Sequence, residues 1–138
     1  MIVNRVKGDI FLAPQKHIAF AINTQGDNDD GFAEQVSLRI KWSELIRTGG
    51  NQLGEVLIRK DGEKTYYALV CHSLDKGGWN DTPRVARECL DKIEAPDDEE
   101  IAVVLMGSGF FGRMQGADVE AILGGIEQSK KKLVVYTL

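Results

Sequence analysis

Cysteine is scarce in this chain, with only Cys71 and Cys89 among 138 residues. One falls in a segment that reads as a strand and the other in a segment that reads as a helix. That predicts two reduced, buried thiols rather than a disulfide. No spacing of Cys and His fits a zinc site, and nothing calls for a metal or a cofactor. Basic charge is also lacking: 17 Lys and Arg face 21 Asp and Glu, for a net charge of -4. This argues against nucleic acid as a partner, because non-specific binding needs a basic footprint. It leaves room for a small anion held by neutral backbone amides. No stretch approaches the roughly 18 apolar residues of a membrane span, and the N-terminus has no signal-peptide pattern. The expectation is a soluble, cytoplasmic protein with no membrane partner. Repeats, low-complexity tracts and linkers are missing too, so residues 1–138 read as a single domain large enough for a core. The composition, 43% hydrophobic and 28% charged, is ordinary for a globular protein.

Among what is present, one stretch organises the rest: Met106-Gly107-Ser108-Gly109-Phe110-Phe111-Gly112. The apolar run Ile101–Met106 leads into it, and a helix-like segment from Gly116 to Gln128 follows. Strand, glycine turn and helix is the order in which α/β proteins present bare N–H groups to a phosphate. Glycine serves where φ must be positive or where a Cβ would block a ligand. The loop is not a Walker loop, since no Gly-Lys-Ser/Thr follows. It comes too late in the chain for the usual dinucleotide fingerprint. The competing reading is a tight strand-to-helix turn with Phe110 or Phe111 as core packing.

Along the chain, Ile2–Lys7 alternates as a half-exposed strand. Gly8-Asp9 breaks it, and Ile10–Ala13 resumes as a β-like stretch before Pro14. His17–Asn23 is nearly all apolar and ends on Asn, as suits a central strand covered on both faces. After a polar loop, Phe32, Val36 and Ile40 recur every fourth residue as one face of a helix opening at Gly31-Phe32. Trp42, Leu45 and Ile46 extend that helix toward Gly49-Gly50. Glu55–Lys60, Asp61-Gly62 and Thr65–His72 form a hairpin signal. Thr82-Pro83 opens a helix with Val85, Cys89, Leu90 and Ile93 on its apolar face. An acidic link, Ala95–Glu100, precedes the strand at 101–106. The last helix turns Val119, Ile122 and Ile126 inward, and Lys132–Leu138 closes the chain as a strand. The order predicts an α/β fold, a mixed sheet between layers of helices.

Other residues carry chemistry with a bland alternative beside it. Asp9 could take a hydrogen bond from a ligand's exocyclic amine, or could simply make a turn. Asn23 through Gly31 offers amides and a helix dipole to an anion. The run Asp27-Asn28-Asp29-Asp30 opposes that through the repulsion of its carboxylates and fits a solvated loop, and its spacing fails for calcium. His72, ending a buried strand, is a candidate acid–base group or a satisfied structural histidine. His17 reads as lying outside the core. Trp79, in a Gly-rich loop, reads either as a lid or as surface packing.

Taken together, Gly8-Asp9-Ile10, the strand ending in Asn23, Gly31-Phe32-Ala33 and the late loop Gly107–Gly112 resemble a macro domain, the ADP-ribose-binding module. The resemblance covers nearly the whole chain. It is nearest the branch of the terminal ADP-ribose protein glycohydrolase, which shares Gly54-Glu55-Val56, Lys60-Asp61-Gly62, Tyr66-Tyr67 and the ending Val135-Tyr136-Thr137-Leu138. It implies a three-layer α/β/α macro-type domain. It also implies that Asp9 accepts from the adenine amine, with Ile10 flanking the ring. The amides of Gly31, Phe32 and Ala33, and those of Ser108, Gly109, Phe110, Phe111 and Gly112, would cradle the diphosphate. Phe111 would pack on the distal ribose, with Asn23 near it.

The catalytic pattern of that branch is not matched. Its lysine nucleophile would stand at His72 or Ser73, and its loop Asp falls near Phe111. The Asn-rich loop of other hydrolytic macro domains reads Asn23-Thr24-Gln25-Gly26-Asp27-Asn28. Asp27, Asp29 or Asp30 would be left to activate a water. The expectation is binding of ADP-ribose or of an ADP-ribosylated substrate, with hydrolase or O-acetyl-ADP-ribose deacetylase activity open. Two alternatives stand: a macro-like module for another nucleotide or RNA, and a degenerate scaffold.

Overall fold

The computed structural model describes residues 1–24, 31–42, 51–72, 81–104 and 116–137, with only the backbone at 31 and 116–119. Six strands form one sheet in the order β1-β6-β5-β2-β4-β3. They are β1 (Ile2–Lys7), β2 (His17–Asn23), β3 (Val56–Asp61), β4 (Lys64–His72), β5 (Glu100–Val104) and β6 (Lys132–Thr137). All neighbours are parallel except β3 and β4, which form an antiparallel hairpin. The helices are α1 (Gly31–Arg39), α2 (Thr82–Asp91) and α3 (Gly116–Glu127).

Alternation along the strands builds two cores. On one face Ile18, Phe20 and Ile22 of β2, with Tyr66, Ala68 and Val70 of β4, pack under Ala33, Val36 and Ile40. On the other, Ala19, Ala21, Leu69 and Cys71 meet Val85, Cys89 and Leu90 of α2 and Ile122 and Ile126 of α3. The sheet therefore lies between α1 on one side and α2 with α3 on the other, the expected α/β layering. α3 approaches α2 so closely that a Cβ on Gly125 would lie 2.6 Å from the Pro83 carbonyl oxygen.

Four local expectations change. Ile10–Leu12 is a 3-10 turn rather than extended chain, because the Asp9 carboxylate caps it. α1 stops at Arg39, short of Trp42. There Lys41 takes a left-handed φ of 56°, and the Trp42 N–H returns to the Ser37 carbonyl at 2.9 Å, which ends the helix as a Schellman motif. The residue ending the helix is thus a lysine where glycine is the usual signal. The hairpin's last pair is Asp61 with Lys64, so its two loop residues are Gly62 and Glu63, with Gly62 at φ 61°. Asp81, rather than Thr82, occupies the cap position of α2, and it makes no side-chain cap hydrogen bond.

Candidate functional site

Five parallel strands end at one edge of the sheet, at Lys7, Asn23, His72, Val104 and Thr137. The chain leaves β2 for α1 on one face and leaves β4 and β5 for α2 and α3 on the other. Neighbouring strands whose connections part to opposite faces open a crevice at their carboxyl ends, the usual ligand position in α/β sheets. The edge is tied together by the Gly8 N–H on the Thr137 carbonyl (2.9 Å) and the Thr24 N–H on the His72 carbonyl (3.0 Å).

Asp9 stands at this edge, directly after β1, and its side chain is exposed. Its backbone is extended (φ -83°, ψ 114°), and Oδ1 accepts the Phe11 N–H at 2.9 Å. That bond fixes the direction of the carboxylate while leaving it open to solvent and to a donor. Ile10, by contrast, is buried at 3% exposure, so its side chain is core and only its edge can meet a ligand.

Asn23 and His72 sit side by side on β2 and β4, paired in register after a one-residue slip. Both are 2% exposed, polar residues that follow the buried apolar stretches of their strands. Gly31 is the first residue of α1, Phe32 is half-buried, and Ala33 is fully buried. What this turn can offer a ligand is therefore mainly backbone N–H groups, which the first turn of a helix leaves unsatisfied, together with the dipole.

An aromatic cluster, unanticipated from the sequence, joins these pieces. The Phe11 ring stacks on Phe32 with centroids 5.1 Å apart and planes at 24°. Phe32 meets Phe20 edge-on at 5.4 Å, and Phe20 meets Trp42 at 6.5 Å. The Arg39 guanidinium lies 4.2 Å from the centre of the Phe11 ring. Nothing in the sequence singled Phe11 out, since it lies within the apolar stretch Ile10–Ala13 that reads as β-like.

Asp27, Asp29 and Asp30, Trp79 and the loop Gly107, Ser108, Gly109, Phe110, Phe111 and Gly112 lie outside the described residues. They belong to connections that leave β2, β4 and β5. Among the described residues no three His, Cys, Asp or Glu side chains are placed to hold a metal ion. Cys71 and Cys89 are buried and free. Burial pushes the Cys71 thiol well up and raises that of Cys89 to about 11, so neither is poised as a nucleophile.

A cleft of about 340 Å³ opens at the opposite end of the sheet, lined by residues 14–16, 98–100 and Lys132. His17 lies behind it and is more enclosed than its sequence suggested: its side chain is 13% exposed. Nε2 lies 2.6 Å from Glu99 and Nδ1 2.9 Å from the Tyr67 hydroxyl. With Nε2–H donating to the carboxylate, Nδ1 accepts from the phenol, so both nitrogens serve to brace the amino ends of the strands. The carboxyl edge, not this cleft, gathers the polar residues singled out above.

No family model matches the sequence, and no curated protein matches it. Solved structures do. The macrodomain of Thermus aquaticus DarG superposes with a TM-score of 0.67 at 15% identity, over 100% of this chain and 99% of that one. The macrodomain of Mycobacterium tuberculosis DarG gives 0.62 at 21% identity, over 100% and 98%. A macrodomain protein from Streptomyces coelicolor gives 0.64 at 17%, over 100% and 99%. No helix among the described residues is long and apolar enough to cross a membrane. At full coverage of chain and sheet, the fold of this protein is the macrodomain fold.

Proposed function

We propose that the protein is a recognition module for ADP-ribose or an ADP-ribose derivative, bound in the crevice at the carboxyl edge of the sheet. The observation that carries this is the placement of Asp9. On a macrodomain fold, an exposed carboxylate held by the Phe11 N–H is braced through Phe11 against the helix that begins at Gly31. A base-recognising acid and a phosphate-recognising helix start then face one ligand. Asp9 would accept the adenine amine, with the edge of Ile10 beside the ring. The amides of Gly31, Phe32 and Ala33, with those of Ser108 to Gly112, would hold the diphosphate. Asn23 would hydrogen-bond the distal ribose, and Phe111 would pack on it. A net charge of -4 does not oppose this, since neutral amides do the holding.

Recognition is favoured over catalysis by what stands at the end of β4. A lysine nucleophile of the glycohydrolase branch would occupy position 72 or 73, and the chain has His72 and Ser73 there, with His72 buried. Hydrolysis by this protein would need a water activated by Asp27, Asp29 or Asp30. Single Asn substitutions at these positions check that: an unchanged rate of release of ADP-ribose from a modified protein removes the carboxylate from the mechanism.

The reading is tested by competition. ADP-ribose should displace a labelled ADP-ribose probe, while AMP, NAD and RNA displace it weakly. Equal competition by AMP or RNA would move the assignment to another nucleotide, and the absence of any binding would leave a scaffold.

A further inference from the structure

The 3-10 turn that carries Asp9 spans only Ile10–Leu12. So short a helix has little stability of its own, and its position must come from side chains. Ile10 goes into the core beneath α1, and Leu12 is 81% exposed. Phe11 alone in the turn has its ring engaged by α1, and at both ends of that helix. Phe32 of the first turn stacks on it, and Arg39 of the last turn covers it at 4.2 Å. Its backbone N–H at the same time holds the Asp9 carboxylate at 2.9 Å. One residue thus connects the acid to the helix start, and Phe32 carries the connection down to Phe20 in β2.

We propose that Phe11 is a positioning residue that sets the distance between Asp9 and the amino-terminal turn of α1. It thereby selects ligands whose base and phosphates are joined at one spacing, that of a nucleoside diphosphate or its esters. The proposal rests on the ADP-ribose reading above. Two weak subsites bind a linked ligand tightly only when their separation matches its span, because the second contact is then made at high effective concentration. Loosening the spacer costs the linked ligand and spares the separate pieces.

The experiment compares ADP-ribose by calorimetry with adenosine and inorganic pyrophosphate by amide chemical-shift titration. The proteins are wild type, Phe11→Ala, Phe11→Tyr and Arg39→Ala. Phe11→Ala should weaken ADP-ribose by about tenfold beyond the product of its effects on the two fragments. Phe11→Tyr, which keeps the stacked ring, should restore the affinity, and Arg39→Ala should shift it a few-fold in the same direction. A merely structural residue would scale all three ligands alike, and that result, or an unchanged ADP-ribose affinity in Phe11→Ala, overturns the proposal while leaving the ADP-ribose reading intact. Wild type that binds neither ADP-ribose nor the fragments removes both. If Phe11→Ala does not fold, Arg39→Ala, altered at an exposed position, decides by the same comparison.

Discussion

On the proposed reading Asp9 would do two jobs with one side chain. Oδ1 holds the turn together through the Phe11 N–H, and the exposed remainder of the carboxylate is what a ligand would meet. A hydrogen bond to a charged group is worth about 1.5–3 kcal/mol. Asp9→Ala should therefore weaken ADP-ribose by roughly 10- to 100-fold, measured by calorimetry. A pair of neighbouring glycines in α3 gives an opposed stability prediction. A Cβ on Gly124 meets nothing within 4 Å, whereas one on Gly125 would strike Pro83. Gly124→Ala should stabilise by about 0.5–1 kcal/mol through helix propensity. Gly125→Ala should destabilise by about 1–3 kcal/mol by overpacking. Chemical denaturation of the two variants reads both signs. A residue-scale effect should also appear at high pH. Burial raises the Cys89 thiol from 9.0 to about 11, and raises that of Cys71 as well. Between pH 9 and 11 the unfolded chain loses thiol protons that the folded chain keeps. Stability is therefore intact below pH 9 and falls as pH rises through that window, by about 3 kcal/mol for Cys89. Cys89→Ala should flatten the slope in a denaturation series from pH 8 to 11.

At the scale of elements, the strands were readable because a buried parallel strand leaves a plain mark. His17–Asn23 and Thr65–His72 are near-continuous apolar runs, and they form the interior neighbours β2 and β4. The ends of elements were read less well, for particular physical reasons. α1 stops through a left-handed Lys41, which no composition rule flags, so the apolar Trp42 seemed to continue a helix that had ended. The turn at Ile10–Leu12 follows from a side-chain cap, and its three apolar residues imitate a strand. Lys41→Gly tests the first of these: it removes a left-handed strain at a helix end, so it should stabilise by about 0.5 kcal/mol after the entropic cost of glycine. An unchanged or lower denaturation midpoint would show that Lys41 gains from a contact that offsets its backbone.

Across the whole molecule, the architecture explains how much of the proposed site could be foreseen. Asp9 follows β1 and Asn23 ends β2, strands that are consecutive in sequence but separated in the sheet by β6 and β5, three strand spacings or about 14 Å. The resemblance implied that they serve one ligand, and β1 and β2 run parallel within the sheet, so both residues lie at its carboxyl edge. The link from Asp9 through Phe11 to Phe32 and Arg39 could not be foreseen, because ring stacking across elements has no sequence period. The brace of Glu99, His17 and Tyr67 was likewise hidden, since its members come from three segments with no shared motif. Phe20 joins that aromatic cluster to the sheet. Phe20→Ala should cost about 3–5 kcal/mol in denaturation and loosen α1 as well, seen as faster amide exchange in 31–39 than the global loss predicts. The most direct measurement is calorimetric titration of ADP-ribose into wild type and Asp9→Ala, both checked for folding by circular dichroism. We expect one-to-one micromolar binding to wild type and a loss of at least tenfold in the variant. A folded wild type that gives no heat, or an Asp9→Ala protein that binds as tightly, would contradict the account.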